Sequence, residues 1–251
     1  MNNCKLALLT LVAISIFSCD VINQQANQLV NSNSSIGNNE INKPSLSNQE
    51  VINGLKEALS VGIKNSVNIA SVTDGFLKNQ SIRLPFPSDA QKVKDKAIEF
   101  GLSNKVDEFE TTLNRAAEEA AKEALPIFKE AIKNMTVQDG FAILNGGDGA
   151  ATKFLKEQTS GKLSEAFLPK VKQVTSRVKL TEKWNPIITK YNQATMLTGG
   201  DKINPDLDAY VTEKAIKGLF YMVEKEENKI RKDPIARVTD LLQKVFGNLS
   251  N

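Results

Sequence analysis

The chain has 251 residues with 32 basic and 29 acidic side chains, two cysteines and no histidine. The missing histidine excludes Ser-His-Asp and Cys-His catalysis, histidine zinc sites and Glu-x-x-His di-iron centres, leaving carboxylate, lysine, tyrosine or hydroxyl chemistry. Net charge is only +3, with acids and bases reading as interspersed, so the concentrated basic face of a nucleic-acid binder is not expected.

Met1 to Lys5 is a short polar start with one positive charge, and Leu6 to Phe17 holds nothing more polar than Thr10 and Ser15. This is a signal-peptide layout, and its apolar run of about a dozen residues is short of the roughly 20 that span a bilayer as a helix. At its end Ile16-Phe17-Ser18-Cys19 resembles the lipobox of bacterial lipoproteins. That resemblance implies a signal peptide over 1–18 and acylation of Cys19. Cys4 leaves with the signal, so the mature chain keeps Cys19 as its one sulfhydryl and no disulfide. The competing reading is an ordinary secretory signal that leaves Cys19 as an unpaired thiol. Several acyl chains, at about 0.8 kcal/mol per buried CH₂, give stable membrane anchorage. Asp20 resembles the inner-membrane retention signal of enteric lipoproteins, but other phyla sort differently. The expected location is therefore the bacterial cell envelope, facing the periplasm or the cell surface, with the leaflet open.

Residues 19–46 are rich in Asn, Gln and Ser with no aromatic side chain, and read as the lipidated cysteine plus a disordered tether. About 27 such residues have an r.m.s. span of roughly 30 Å.

From Ser47 the pattern changes. Ser47-Asn48-Gln49-Glu50 is a capping box, and Ile52, Leu55, Leu59, Ile63 and Val67 recur at helical spacing, predicting a helix to about Ala70. Ile82, Leu84 and Phe86 alternate with Arg83, Pro85 and Pro87, an extended strap that its prolines bar from a central strand. Ser88-Asp89-Ala90-Gln91 starts a helix that ends at Gly101. A longer one carries the stripe Phe109, Leu113, Ala117, Ala120, Ala124, Ile127, Ala131 and Met135, kinked or broken near Pro126. Thr136 caps a short helix to Leu144, and Asp148 caps another beginning Gly149-Ala150-Ala151. Further helices are expected over about Lys162 to Val178 and Glu182 to Asn192. After Asn204-Pro205, Val211, Ala215, Leu219, Met222 and Ile230 define a late helix, and Asp233-Pro234 opens a last one reaching Phe246. The fold class is thus all-α: a single multi-helix domain over 47–247 with one short extended proline-containing segment.

Asn114-Arg115-Ala116-Ala117-Glu118, Ile143-Leu144-Asn145-Gly146-Gly147-Asp148, Tyr210-Val211-Thr212-Glu213-Lys214-Ala215 and Ile230-Arg231-Lys232-Asp233-Pro234 resemble a bacterial family catalogued as domain of unknown function 4197. The resemblance runs from about Val51 to Gly247. It implies a predominantly helical envelope protein and supplies no activity. The sequence departs from the family pattern at Gly149, where a bulkier residue is more common, and in a shorter apolar set around Ala194 to Leu197.

Asn145-Gly146-Gly147-Asp148-Gly149 before a helix invites a phosphate-loop reading. Asp148 at the cap would repel phosphate, and Thr152-Lys153 is not a P-loop ending, so Asn145 and Asp148 read as a turn with an aspartate cap. The acids are also wrongly spaced for a calcium loop, and Thr198-Gly199-Gly200-Asp201 is a second turn. Glu226 lies four residues from both Met222 and Ile230, on the apolar stripe, and a buried carboxylate needs a partner: Arg115, Arg231 or Arg237. Arg115 lies opposite the main stripe of its helix with Glu118 and Glu119 one turn on. If a second helix covers that face, Asn114, Arg115 and Glu118 become a buried polar cluster, with Glu226 and Arg231 as further candidates, and a pocket is possible. Trp184 and Tyr191 share a helical face and read as core, with a groove lining as the alternative.

No catalytic constellation, metal site or cofactor is expected. The functional expectation is a non-enzymatic envelope protein, held at the membrane through Cys19, binding another envelope protein or a lipid and not nucleic acid, with oligomeric state open. The alternatives are a carrier with an apolar interhelical cavity and a carboxylate enzyme. The enzyme requires at least two of Glu118, Asp139, Asp148, Glu226 and Glu227 to converge in a cleft.

Overall fold

The computed structural model describes residues 47–177, 179–204 and 206–233, together with 235, 239, 240 and 243. The expected signal peptide, Cys19 and the expected tether lie outside the described residues, as does nearly all of the helix expected after Pro234. Every regular element among the described residues is helical, and no strand occurs among them.

Helix α1 (Asn48–Ala70) begins at the expected capping box. The Glu50 N–H donates to Ser47 Oγ (3.2 Å) while the Ser47 N–H donates to Glu50 Oε2 (2.8 Å). Its predicted stripe is buried from Ile52 to Val67. The segment after it is irregular to Pro87, and Phe76, Ile82, Leu84 and Phe86 are buried while Arg83 and Pro85 face solvent, which is the alternation of an extended strap. A 3₁₀ turn (Ser88–Ala90) leads into α2 (Gln91–Glu99), and Gly101 ends the segment with φ 75°.

The long stripe is broken as expected near Pro126, into α3 (Ser103–Ala121) and α4 (Ala124–Lys133). Pro126 sits third in α4, where its missing N–H has no intrahelical partner to lose. The break also rotates the buried face. Ala124, Phe128 and Ile132 are buried in α4, and the expected Ile127 and Ala131 are only half-buried. Helix α5 (Val137–Asn145) has a second capping box, Thr136 with Asp139. A methyl group on its Gly140 would collide with Ile52 Cδ1, so glycine permits the close approach of α1.

Helix α6 (Ala150–Arg177) is continuous where the sequence suggested two helices. Ala151, Leu155, Thr159, Leu163, Phe167, Val171 and Thr175 are all buried at a strict spacing of four. At 3.6 residues per turn that stripe drifts about 40° per step. It winds around α6 and defeats a search for one fixed apolar face. Gly161 and Pro169 both face solvent, where they interrupt no packing. Lys179, in the left-handed region at φ 52°, turns the chain into α7 (Leu180–Thr198), which Gly199 closes at φ 73°. Asp206 caps α8 (Leu207–Lys232) by accepting from the Ala209 N–H (2.9 Å).

Helix α8 packs against α1, α3 and α6, while α7 lies at the edge on α6 and α8. Small side chains bring these helices together: Ala116, Ala117, Ala120 and Ala121 of α3 and Ala215 of α8 are fully buried. A methyl group on Gly218 would lie 2.9 Å from Phe76 Cε1 and 3.2 Å from Ile82 Cβ, so this glycine is what lets the strap lie on α8. Leu46–Asn251 forms one compact unit around this core.

Candidate functional site

The expected polar cluster divides between two networks. In the first, α3 presents Glu110, Asn114 and Glu118, all buried and spaced by four, to the strap. Asn114 Oδ1 accepts from the Leu84 N–H (2.8 Å) and its Nδ2 donates to the Leu84 carbonyl (2.9 Å), so it pairs with the strap as a neighbouring strand would. Glu118 Oε1 accepts from the Phe76 and Leu77 N–H groups (3.1 and 3.2 Å), and Oε2 from Arg115 Nη1 (2.6 Å). Arg115 also pairs with Asp74 (2.6 Å), a non-glycine residue at φ 68°. Hydrogen bonds from Lys78 and then Arg115 hold the Asp74 carboxyl below its ordinary range. Glu110 takes Arg83 and Lys94 (2.8 and 2.7 Å). The element that covers this face is the strap, where the sequence makes a second helix the condition, and Arg115 stays half-buried. Glu110 was missed, although its spacing from Asn114 and Glu118 was visible.

The second network is built on Glu227 and not on Glu226. Glu227 is 7% exposed, and its two oxygens accept from the Ala151 and Thr152 N–H groups (3.0 and 2.9 Å) and the Thr152 hydroxyl (2.8 Å). Arg231, one of three arginines offered as a partner for Glu226, donates to Glu227 (3.0 Å) and to the Ile143 carbonyl at the end of α5 (2.8 Å). Asn228 Oδ1 accepts from the Gly149 N–H (3.2 Å). So the first free N–H groups of α6 are filled by a carboxylate from α8, where the sequence pointed to Asp148 as the cap. Asp148 instead pairs at the surface with Lys232. Asn145 is exposed at the end of α5. Glu226 is half-buried and accepts from Asn65 Nδ2 (3.1 Å). The Gly-rich turn is a turn, and its anion position is held by the protein's own side chain.

Of the five carboxylates named for an enzyme, Asp139 and Asp148 share a cleft, an open one of about 410 Å³ that also has Lys153 and Glu157 on its walls. Asp139 is engaged in the Thr136 capping box, whose hydrogen bonds hold its carboxyl below the usual value. Among the described residues no three acidic or cysteine side chains are arranged to hold a metal ion.

A more apolar groove of about 360 Å³ lies between α3 and α7. Phe109, Leu180, Trp184 and Ile187 line it, with Lys105, Lys183, Glu108 and Thr112. Phe109 and Trp184 of its lining belong to an aromatic cluster with Phe86 of the strap, with tilted and edge-to-face contacts at centroid distances of 4.7–5.6 Å. Trp184 is buried, and its indole N–H has no hydrogen-bond partner among the described residues. Trp184 thus serves both as core and as groove lining, while Tyr191 packs half-buried on the core.

A family model described as a protein of unknown function, DUF4197, matches residues 45–247. No curated protein and no solved structure matches the chain.

Proposed function

The chain belongs to the DUF4197 family, and on that premise we propose that it is a lipid-anchored, non-enzymatic protein of the bacterial cell envelope whose helical domain binds lipid in the groove between α3 and α7. The observation that carries the lipid reading is the composition of that groove. Phe109, Leu180, Trp184 and Ile187 offer an apolar bed, and Lys105 and Lys183 put cations beside it. That is the combination an acyl chain with an anionic head requires. The anchor rests on Ile16-Phe17-Ser18-Cys19 behind a short apolar run. No helix among the described residues is long and apolar enough to cross a membrane.

Trp184 is the single tryptophan and reports on the groove directly. Titration with a monomeric lysophospholipid is expected to change its emission saturably. Ile187→Glu, at a half-exposed position, is expected to weaken binding at least tenfold while leaving the melting temperature in place. An emission spectrum indifferent to the lipid removes the groove reading. Metabolic fatty-acid labelling tests the anchor separately, because Cys19→Ala is expected to lose all label.

A partner protein is the second reading. It is favoured by the corner between α2 and α3, where Ile98, Phe100 and Leu102 are exposed together and Phe100 is 77% accessible. A photo-crosslinker at position 100 that gives no adduct in intact cells rejects it.

A further inference from the structure

Bases and acids are not interspersed everywhere. Between Lys170 and Lys190 the chain carries six bases (Lys170, Lys172, Arg177, Lys179, Lys183, Lys190) against one acid, Glu182. That stretch is the end of α6, the Lys179 turn and the first half of α7. Lys170 is paired with Glu123 (3.0 Å). The other five are exposed and make no ion pair among the described residues, although the Glu108 carboxylate, already bonded to Lys105, also feels Lys183. Of these five, only Lys183 also borders the groove between α3 and α7.

Lys183, Ile187, Lys190, Ala194 and Leu197 follow one another by four, three, four and three residues, which places them on one line along α7. All five are exposed, Ile187 by 51% and Leu197 by 90%. The buried line of the same helix, through Trp184, Ile188 and Thr195, lies about 100° away. So α7 has two working faces: one packs on the core, and the other sets aliphatic side chains between unpaired lysines. Lysine stems lying along apolar surface with their ammonium groups raised are what a helix at a headgroup layer presents.

We propose that this edge of the molecule is a membrane-docking surface, with the outer line of α7 resting on an anionic phospholipid bilayer and Lys172, Arg177, Lys179, Lys183 and Lys190 among the headgroups. The five cations without partners select a negatively charged surface over a zwitterionic one, and Ile187 and Leu197 supply the shallow apolar contact. The inference concerns the outer face of α7. It needs neither a lipid inside the groove nor acylation of Cys19.

The test uses the full-length mature chain with one tryptophan relocated. In a Trp184→Phe background, Leu197→Trp places a reporter on the docking line, and Asn53→Trp places one on the exposed side of α1 as control. Both are mixed with vesicles of brominated phosphatidylcholine, with and without phosphatidylglycerol. Quenching at position 197 is expected to exceed that at position 53 at least twofold on anionic vesicles, and to fall to the control level on zwitterionic ones. Adding Lys179→Gln and Lys190→Gln, neither of which lines the groove, is expected to weaken vesicle binding about 30-fold, at roughly fivefold per base removed. Equal quenching at both positions on anionic vesicles overturns the proposal. So does equal quenching at position 197 on both vesicle types, which is tethering without docking. A blue-shifted emission from the Leu197→Trp reporter before any vesicle is added also overturns it, since a second copy then covers the stripe. Failure of the groove reading would leave every one of these outcomes unchanged.

Discussion

At the scale of single residues, the most consequential difference between sequence and structure is one position on α8. Glu226 was singled out by its spacing of four from Met222 and Ile230, but Glu227 is the carboxylate that is buried. The core-facing line of this part of α8 runs Leu219, Val223, Glu227 and Ile230, and one residue of offset is about 100° of rotation. Of the three arginines offered to Glu226, Arg231 pairs with Glu227, Arg115 pairs with Glu118, and Arg237 lies outside the described residues. Glu227→Ala takes the buried carboxylate away from the Arg231 guanidinium and leaves two N–H groups of α6 without their acceptor, and is expected to cost about 3–5 kcal/mol. Glu226→Ala loses one hydrogen bond from Asn65 and is expected to cost about 1 kcal/mol. Urea unfolding of the two variants checks the order, and equal losses would contradict it. A second residue sets the alkaline limit. Tyr210 donates its hydroxyl to the Pro85 carbonyl (3.1 Å), and burial, with the negative charges of Asp89, Glu110 and Glu213, pushes its pKa up to about 12 from 10.0. A raised pKa means that the folded state holds the proton more tightly than the unfolded one. The contribution is fully present below pH 10 and is lost as the pH rises towards 12. Tyr210→Phe removes the ionisable group, so its stability is expected to fall less than that of the wild type across that interval.

At the scale of elements, helix starts were legible because capping chemistry is local. Ser47 with Glu50 and Thr136 with Asp139 close capping boxes in the structure as they read in the sequence. The Asp148 cap failed because the groups it was expected to satisfy are met from 76 and 75 residues away by Glu227, and no local pattern encodes that. Continuity of α6 was illegible for a different reason: its buried line, spaced strictly by four, rotates out of any fixed face, so the sequence read as two helices. If α6 is one helix through Gly161, that glycine carries the ordinary entropic penalty of a helix interior. An added Cβ there meets nothing within 4 Å. Gly161→Ala is then expected to stabilise the domain by about 0.5–1 kcal/mol, read as a rise in the urea midpoint at unchanged slope. A destabilised variant would instead mean a chain break at that point.

At the scale of the whole molecule, the all-helical class and most helix positions were legible in the sequence, but not which elements share a core. Phe86, Phe109 and Trp184 come from the strap, α3 and α7, three segments with no common periodicity, and their rings meet in one cluster from which Phe109 and Trp184 line the groove. Strap and bundle are also cross-linked by Asn114 and Glu118, while Glu227 and Arg231 join α5, α6 and α8. Opening any one of these segments exposes buried polar partners belonging to another, which favours all-or-none unfolding of Leu46–Asn251. Helix α7 is the place where that argument is weakest, since it lies at the edge and one of its faces is turned to solvent. Trp184 makes it testable, because its fluorescence reports α7 leaving Phe86 and Phe109, while far-ultraviolet circular dichroism reports all the helices. Coincident midpoints in urea are expected. A fluorescence transition that precedes the loss of helix would identify α7 as a separately opening unit, and would place both the groove and the basic edge on the least stable part of the fold.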